Sequence, residues 1–526
     1  MESKVVNQNT SRWLCGFVAV LLTTFNAAAQ LRSPLVVGIV VEGLSDEYIE
    51  VLSPYFGEGG FKRLMNSAAT LSHVDYGPGI DAAAATAIVY SGASPSVNGI
   101  SGAMIYDQSV GQPRHVLFDS SKIGNFTDET LSPSALSVST LADELKINTD
   151  GSAIIFSIAP SSHQAIIAAG HAGNGAFWLN DRTGAWATTT YYKEVPRVLT
   201  ERNYRRPLSA RLDTMKWEPL VVSGRYPHVA ANDAGRRFRH TFSRKDPDRY
   251  YAYKATPLCN AEVTDLGIDF LTSMPMGSDS EPDMLNLTYN VSPAAEATPA
   301  EIMDTYLRLD NDLERLFNTI DRAAGRGNAT VFLVGVPGVE AGLTDYKKWQ
   351  IPTGQYSVRK AMSLLNIYLI AVHGNGDWVS GYYKRHFYLN RKLIKDRGLD
   401  LGDFRAEVAD FLIRMSGVSG VYTIDDVIAA RAGENPQATK RNMSVTYSGD
   451  VIIEVNPGWE IIDDGTSSHD SQQRYSAVDC PAFIMGPGIT PVKINHSVDA
   501  RAIAPTVARA IHIRSPNGAV LPRISM

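Results

Sequence analysis

The residues able to hold a metal or move a proton are few and scattered. Glu42 closes an apolar run and Asp81 opens an alanine-rich one, while Asp463-Asp464, His469-Asp470 and Asp479 crowd a late stretch around "DDGTSSHDS". Carboxylates and imidazoles are donors that a divalent cation accepts, so Glu42, Asp81, His469 and Asp479 make one candidate metal set. A solvated loop with helix-capping groups accounts for the same late residues, and only one histidine is among them. His171 in "AAGHAGNGAFW", and His373 with Asp377 in "HGNGDW", stand beside glycines, where hydrogen bonding at a turn explains them. "GISGA" lacks the glycine spacing of a G-x-S-x-G elbow, so nothing favours a Ser-His-Asp hydrolase.

These residues must be positioned by elements the pattern predicts. "PLVVGIVVEG" reads as a strand buried on both faces, as in parallel sheets, ending on Glu42. "GGFKRLMNSA", the alanine-rich segment after Asp81 and "SVSTLADELK" read as helices, and "SAIIFSIA" and "MLNLTYNV" as strands. Thr298-Pro299-Ala300-Glu301 is a capping box with proline in the first turn. Beyond it, Ile302, Tyr306, Leu309, Leu313, Leu316, Phe317 and Ile320 recur at helical spacing. "TVFLVGVPGVE" is a buried strand whose tip carries Val336-Pro337, where open α/β sheets place their chemistry. "PAFIMGPGI" adds a strand and "DARAIAPTVARAIHI" a last helix. Alternating strands and helices predict an α/β fold, a three-layer α/β/α sandwich. Residues of about 172–280, irregular and rich in Trp, Tyr, Arg and Pro, read as a cap-like insertion beside the core. A second insertion is expected at about 340–450, with "DFRAEVADFLIRMSGVSGVYTIDDV" as helix then strand. The aromatic cluster of the first insertion fits a binding face and the packing of a cap equally.

The start, "MESKVVNQNTSRWLCGFVAVLLTTFNAAAQ", has a basic lead, a 13-residue apolar run and an A-x-A end. That describes a cleaved secretory signal over residues 1–29, leaving 30–526 as the folded domain in the periplasm or cell envelope. The run is shorter than the roughly 20 residues of a bilayer span, and no other segment reads as one. A net charge of −6 without a basic stripe gives no support for nucleic acid as a partner. After signal removal only Cys259 and Cys480 remain, two thiols that an oxidising compartment would allow to pair.

The segments "VVGIVVEGLSDEY", "FGEGGFKRLMNSA", "YSGASPSVNGISG", "LSVSTLADELK", "AAGHAGNGAFWLNDRTGAWATTTYY", "DTYLRLDNDLERLF", "GNATVFLVG", "GDWVSGYYKRHFYLNRKLI" and "GPGI" carry a resemblance across most of the chain. It resembles the alkaline phosphatase superfamily, in its type I phosphodiesterase/nucleotide pyrophosphatase-like branch, and bacterial phosphate-irrepressible enzymes with a threonine nucleophile. That family transfers phosphoryl groups with two zinc ions, held by three Asp and three His. Carried over, the first ligand Asp falls on Glu42 and the nucleophilic Thr on Ala82, with Asp81 before it and Thr86 at a family His. The phosphate-contacting Asn falls on Ala103 and the Lys-x-Arg pair near Ser161 and His163. The remaining ligands fall on about Tyr289 and Pro293, on Val336 and Pro337, and near Asp479. The resemblance thus implies the fold without the family's catalytic and zinc-ligating residues, and no cofactor is expected. The expectation is an exported, catalytically inactive protein with a binding or scaffold role, its envelope partner or ligand unnamed. The alternative is a metal-dependent phosphomonoesterase or phosphodiesterase with a site rebuilt around Glu42, Asp81, His469 and Asp479, using zinc or another divalent ion.

Overall fold

A computed structural model describes residues 33–193, 195–220, 238–279, 281–292, 297–338, 350–431, 440–444, 446–456, 458–462 and 479–526. Residues 1–32, which hold the expected signal, Pro293 and His469 lie outside these residues. In chain order the principal strands are β1 (Leu35–Glu42), β2 (Ala69–Asp75), β3 (Ile155–Ala159), β4 (Gly175–Leu179), β5 (Trp186–Thr189), β6 (Asp283–Asn290) and β7 (Thr330–Val336). Then follow β8 (Val379–Tyr383), β9 (His386–Leu389), β10 (Val418–Thr423), β11 (Val451–Val455) and β12 (Cys480–Met485).

The main sheet has 11 strands, with the central order β2-β12-β7-β1-β6-β3-β4-β5. β1 pairs in parallel with both β6 and β7, which places Glu42 level with Asn290 on one side and Val336 on the other. β12 runs antiparallel between β7 and β2, so the sheet is mixed. Side chains alternate across a strand, and the two faces have separate cores. Val37, Ile39 and Val41 face a layer that includes the helices Pro257–Ser273 and Pro299–Ala324. Val36 and Val40 face Ala82–Ser91 and Ile503–Ala510. This is the expected α/β/α arrangement.

The capping box at Thr298 forms, and its helix runs 26 residues. Asp81 caps the helix Ala82–Ser91 by accepting the Ala84 amide, and Gly92 ends it in the left-handed conformation. Two expected boundaries need correction. The segment 172–280 does not stand wholly beside the core: β4 and β5 extend the main sheet, and Pro257–Ser273 covers one face of it. Irregular aromatic spacing hid the short β5, "WATT", whose residues are buried throughout. The smaller lobe also continues past 450, because β11 lies inside its four-stranded sheet, ordered β8-β9-β11-β10. That sheet and the helices Val358–His373 and Leu401–Leu412 enclose a core of their own around Trp378, Phe387, Phe404 and Val451.

Candidate functional site

The carboxyl ends of β6, β1 and β7 bring Asn290, Glu42 and Val336 side by side on the face of the helix Ala82–Ser91. Glu42 is the acidic member of this row. Its Oε2 accepts a hydrogen bond from Gln164 Nε2 at 3.0 Å. Loss of surrounding water pushes its pKa up to about 7, against the pull of Gln164 and Lys254 and with a smaller push from the Asp81 charge. Glu42 therefore exchanges its proton near neutrality.

Asp81 behaves in the opposite way. Burial alone would raise it, but the Lys384 ammonium and the amides of Ala84 and Ala103 outweigh that and hold it below the usual carboxylate range. Lys384 Nζ lies 3.3 Å from Asp81 Oδ2, which also accepts the Ala103 amide at 2.9 Å. The lysine sits in the turn between β8 and β9, where Lys384 and Arg385 both take positive φ, 44° and 70°. A methyl group on Gly102 would lie 2.6 Å from Asp81 Oδ2, so only glycine lets this loop approach the carboxylate. One carboxylate thus joins a helix start, the "GISGA" loop and a turn from the smaller lobe.

Two imidazoles lie close by. His115 and His163 have ring centroids 6.1 Å apart. Desolvation pushes both down, His115 to about 3 and His163 to about 4, so both are neutral at neutral pH. His115 Nδ1 accepts the Leu117 amide, which leaves the proton on Nε2, 3.4 Å from Ser162 Oγ. Ser162 donates to Glu129 Oε1 at 3.1 Å, and Trp178 Nε1 donates to Glu129 Oε2 at 2.6 Å. Ser161 caps the helix Ser162–Ala169 without a side-chain bond.

The other residues singled out in the sequence go elsewhere. Tyr289 turns to the opposite face of the sheet, where Thr264 donates to its hydroxyl at 3.1 Å. Asn290 takes the place beside Glu42, because alternation along β6 reverses the direction of its neighbour. Thr86 is buried and donates to Ala82 O within its own helix. Val336 and Pro337 are buried and apolar. Asp479 pairs with His73 at 3.4 Å. Of the candidate metal set, then, Glu42 holds Gln164, Asp81 holds Lys384, and Asp479 holds His73. Among the described residues no three His, Cys, Asp or Glu side chains form a group that suits a metal. His171 bonds Asp143 and Leu136 O, the structural role expected of it. His373 bonds Glu407 rather than acting through its glycine turn alone. Cys259 and Cys480 are both buried, and neither takes part in a disulfide among the described residues. Lys384, Gln164, Lys254 and His115 carried no local signal; sequence separations of up to 303 residues connect them to Asp81 and Glu42.

A family model described as type I phosphodiesterase / nucleotide pyrophosphatase matches residues 36–477. The chain belongs to that family. Against the alkaline phosphatase PafA of Elizabethkingia meningoseptica it is 28% identical over 542 residues, covering 97% of each protein. Against the alkaline phosphatase PhoV of Synechococcus elongatus it is 27% identical over 515 residues, covering 93% of this chain and 92% of the other. The crystal structure of wild-type PafA matches with a TM-score of 0.80 at 27% identity, over 94% of this chain and 99% of that one. The phosphodiesterase/nucleotide pyrophosphatase family therefore supplies both the fold and its setting, within the alkaline phosphatase superfamily and near PafA. These relatives are phosphoric ester hydrolases by name.

Proposed function

We propose that this chain is an exported family member that binds without hydrolysing, a catalytically inactive protein with a binding or scaffold role in the periplasm or cell envelope. The observation that carries the reading is the start of the helix Ala82–Ser91. In the position assigned to the family's nucleophile stands Ala82, whose methyl group offers no attacking oxygen, next to an Asp81 already neutralised by Lys384.

Two zinc ions would need imidazole nitrogens and free carboxylates at about 2 Å. The residues assigned to those places do not fit them. Val336 and Pro337 have no donor atom, Tyr289 faces away with a phenol whose pKa burial raises, and Glu42 is largely protonated below neutrality. A dehydrated dication and a phosphate dianion would find little here to replace their water. What the cleft does offer is hydrogen bonding: two neutral imidazoles, Gln164, Ser161 and a half-neutral Glu42.

Metal content by mass spectrometry on the purified protein tests this, together with phosphomonoester and phosphodiester assays across pH 6–10 with zinc added. The expected result is no turnover above a boiled control. Stoichiometric zinc, with turnover lost in Glu42→Ala and Asp479→Ala, would overturn the reading and favour the rebuilt metal site.

A further inference from the structure

The opposite end of the main sheet holds a cavity that this function does not use. β12 runs antiparallel to β7, with Met485 level with Val331 and Ala482 level with Val334. The turn after Met485 therefore lies at the far end of the strands from Glu42, on the order of 20 Å away at about 3.3 Å per residue. There, that turn, the end of the helix Ile503–Ala510 and the segment 523–526 frame a half-open cavity of about 510 Å³. This volume lies within the range of small-molecule sites.

Arg509, Arg523 and His512 line it, with Ile489 and Ile524, and no Asp or Glu side chain is among the lining residues. The walls are fixed: the Ile524 amide donates to Thr506 Oγ1 at 2.8 Å, and Thr506 in turn donates to Ala502 O at 2.6 Å. His512 is held in the left-handed region, φ 59°, which a non-glycine residue enters only when its surroundings impose it. Elsewhere arginines rest on carboxylates, as in Arg63–Asp321, Arg202–Glu262, Arg308–Asp304 and Arg441–Asp499. The guanidiniums of Arg509 and Arg523 have no such partner among the described residues. Arg509 and Arg523 are exposed, and no carboxylate side chain lines the cavity opposite them. Guanidinium presents a planar fork that matches a tetrahedral oxyanion bidentately.

We propose that this cavity binds a small organic dianion of the phosphate type, its oxygens on Arg509 and Arg523 and its apolar body against Ile489 and Ile524. The site is separate from the cleft at Glu42 and Asp81, so it stands whether or not that cleft is active. The probe is phenylphosphonate, whose P–C bond is not open to phosphoester hydrolysis, titrated calorimetrically into the full-length protein at pH 8 and low salt. One-to-one binding is expected, weakened by at least about tenfold in R509Q/R523Q because charge-assisted hydrogen bonds are lost. Lys384→Met, at the other end of the sheet, is expected to leave the affinity unchanged. R509Q/R523Q changes exposed side chains and Lys384→Met a mostly buried one, and their melting without ligand reports whether they fold. No binding to the wild type, equal binding to R509Q/R523Q, or binding lost instead in Lys384→Met would each overturn the proposal. None of these outcomes touches the inactivity reading, which is read from turnover and metal content.

Discussion

From Leu35 to Val41, β1 is shut off from solvent and apolar apart from Gly38, whereas Glu42, one residue on, is partly open and titrates near neutrality. The body of the strand is fixed by packing on both faces, so each residue there answers to many neighbours at once. The tip answers to few, so one local partner largely sets the state of each group there. Gln164 serves Glu42 in this way, and Lys384 serves Asp81. The scaffold itself persists at low identity, as the match to PafA at 27% identity and a TM-score of 0.80 shows.

The largest effect should come from the strand body. A Cβ on Gly38 would lie 2.5 Å from Asn286 Oδ1, 2.6 Å from a ring carbon of Phe332 and 2.8 Å from the Tyr90 hydroxyl. Gly38→Val should cost roughly 3 kcal/mol or more through overpacking, read by urea denaturation. A loss below 1 kcal/mol would mean that β1 is looser than the contrast requires. At the tip, Asp81→Ala removes a helix cap, the Ala103 acceptor and the Lys384 partner together. We expect a loss of about 2 kcal/mol in the same assay.

Glu42→Gln should act with the opposite sign and only at higher pH. The folded state holds the Glu42 proton up to about 7, while the unfolded chain releases it near the ordinary value of 4.5. The wild type should therefore lose stability as pH rises from about 4.5 to 7 and remain level above that. Glutamine should abolish this slope and stabilise the protein at pH 8 by on the order of 1–2 kcal/mol, after allowance for partial solvation. A melting temperature whose pH profile is identical in the two proteins would remove Glu42 as the titrating group. The smallest effect belongs to Asp479→Asn. Its partner His73 and Asp479 itself are 42% and 49% exposed, so the change should stay within about 0.5 kcal/mol.

The parts of the fold legible in the sequence were those with strong local signals. Continuous apolar runs marked β1, β6, β7 and β12, and the Thr298 box marked its helix, because burial on two faces and capping each leave a short-range trace. β5 was not legible: four residues at the sheet's margin are too few to show a period. At the site, Glu42 and Asp81 were found because each stands at the boundary of such a run. Lys384, Gln164 and His115 were not found, since a surface-type residue in a turn or helix looks the same whether or not it meets a carboxylate.

The sequence by itself determined the α/β class, the central strands and the apolar character of Val336-Pro337 and Ala82, since side-chain chemistry and periodicity are local properties. Only the tertiary structure decided which groups neutralise Asp81, that Asn290 rather than Tyr289 flanks Glu42, and that Arg509 and Arg523 share a cavity. The physical reason is that charge, desolvation and strand register act between residues brought close by the folded chain, and Lys384 reaches Asp81 across 303 positions.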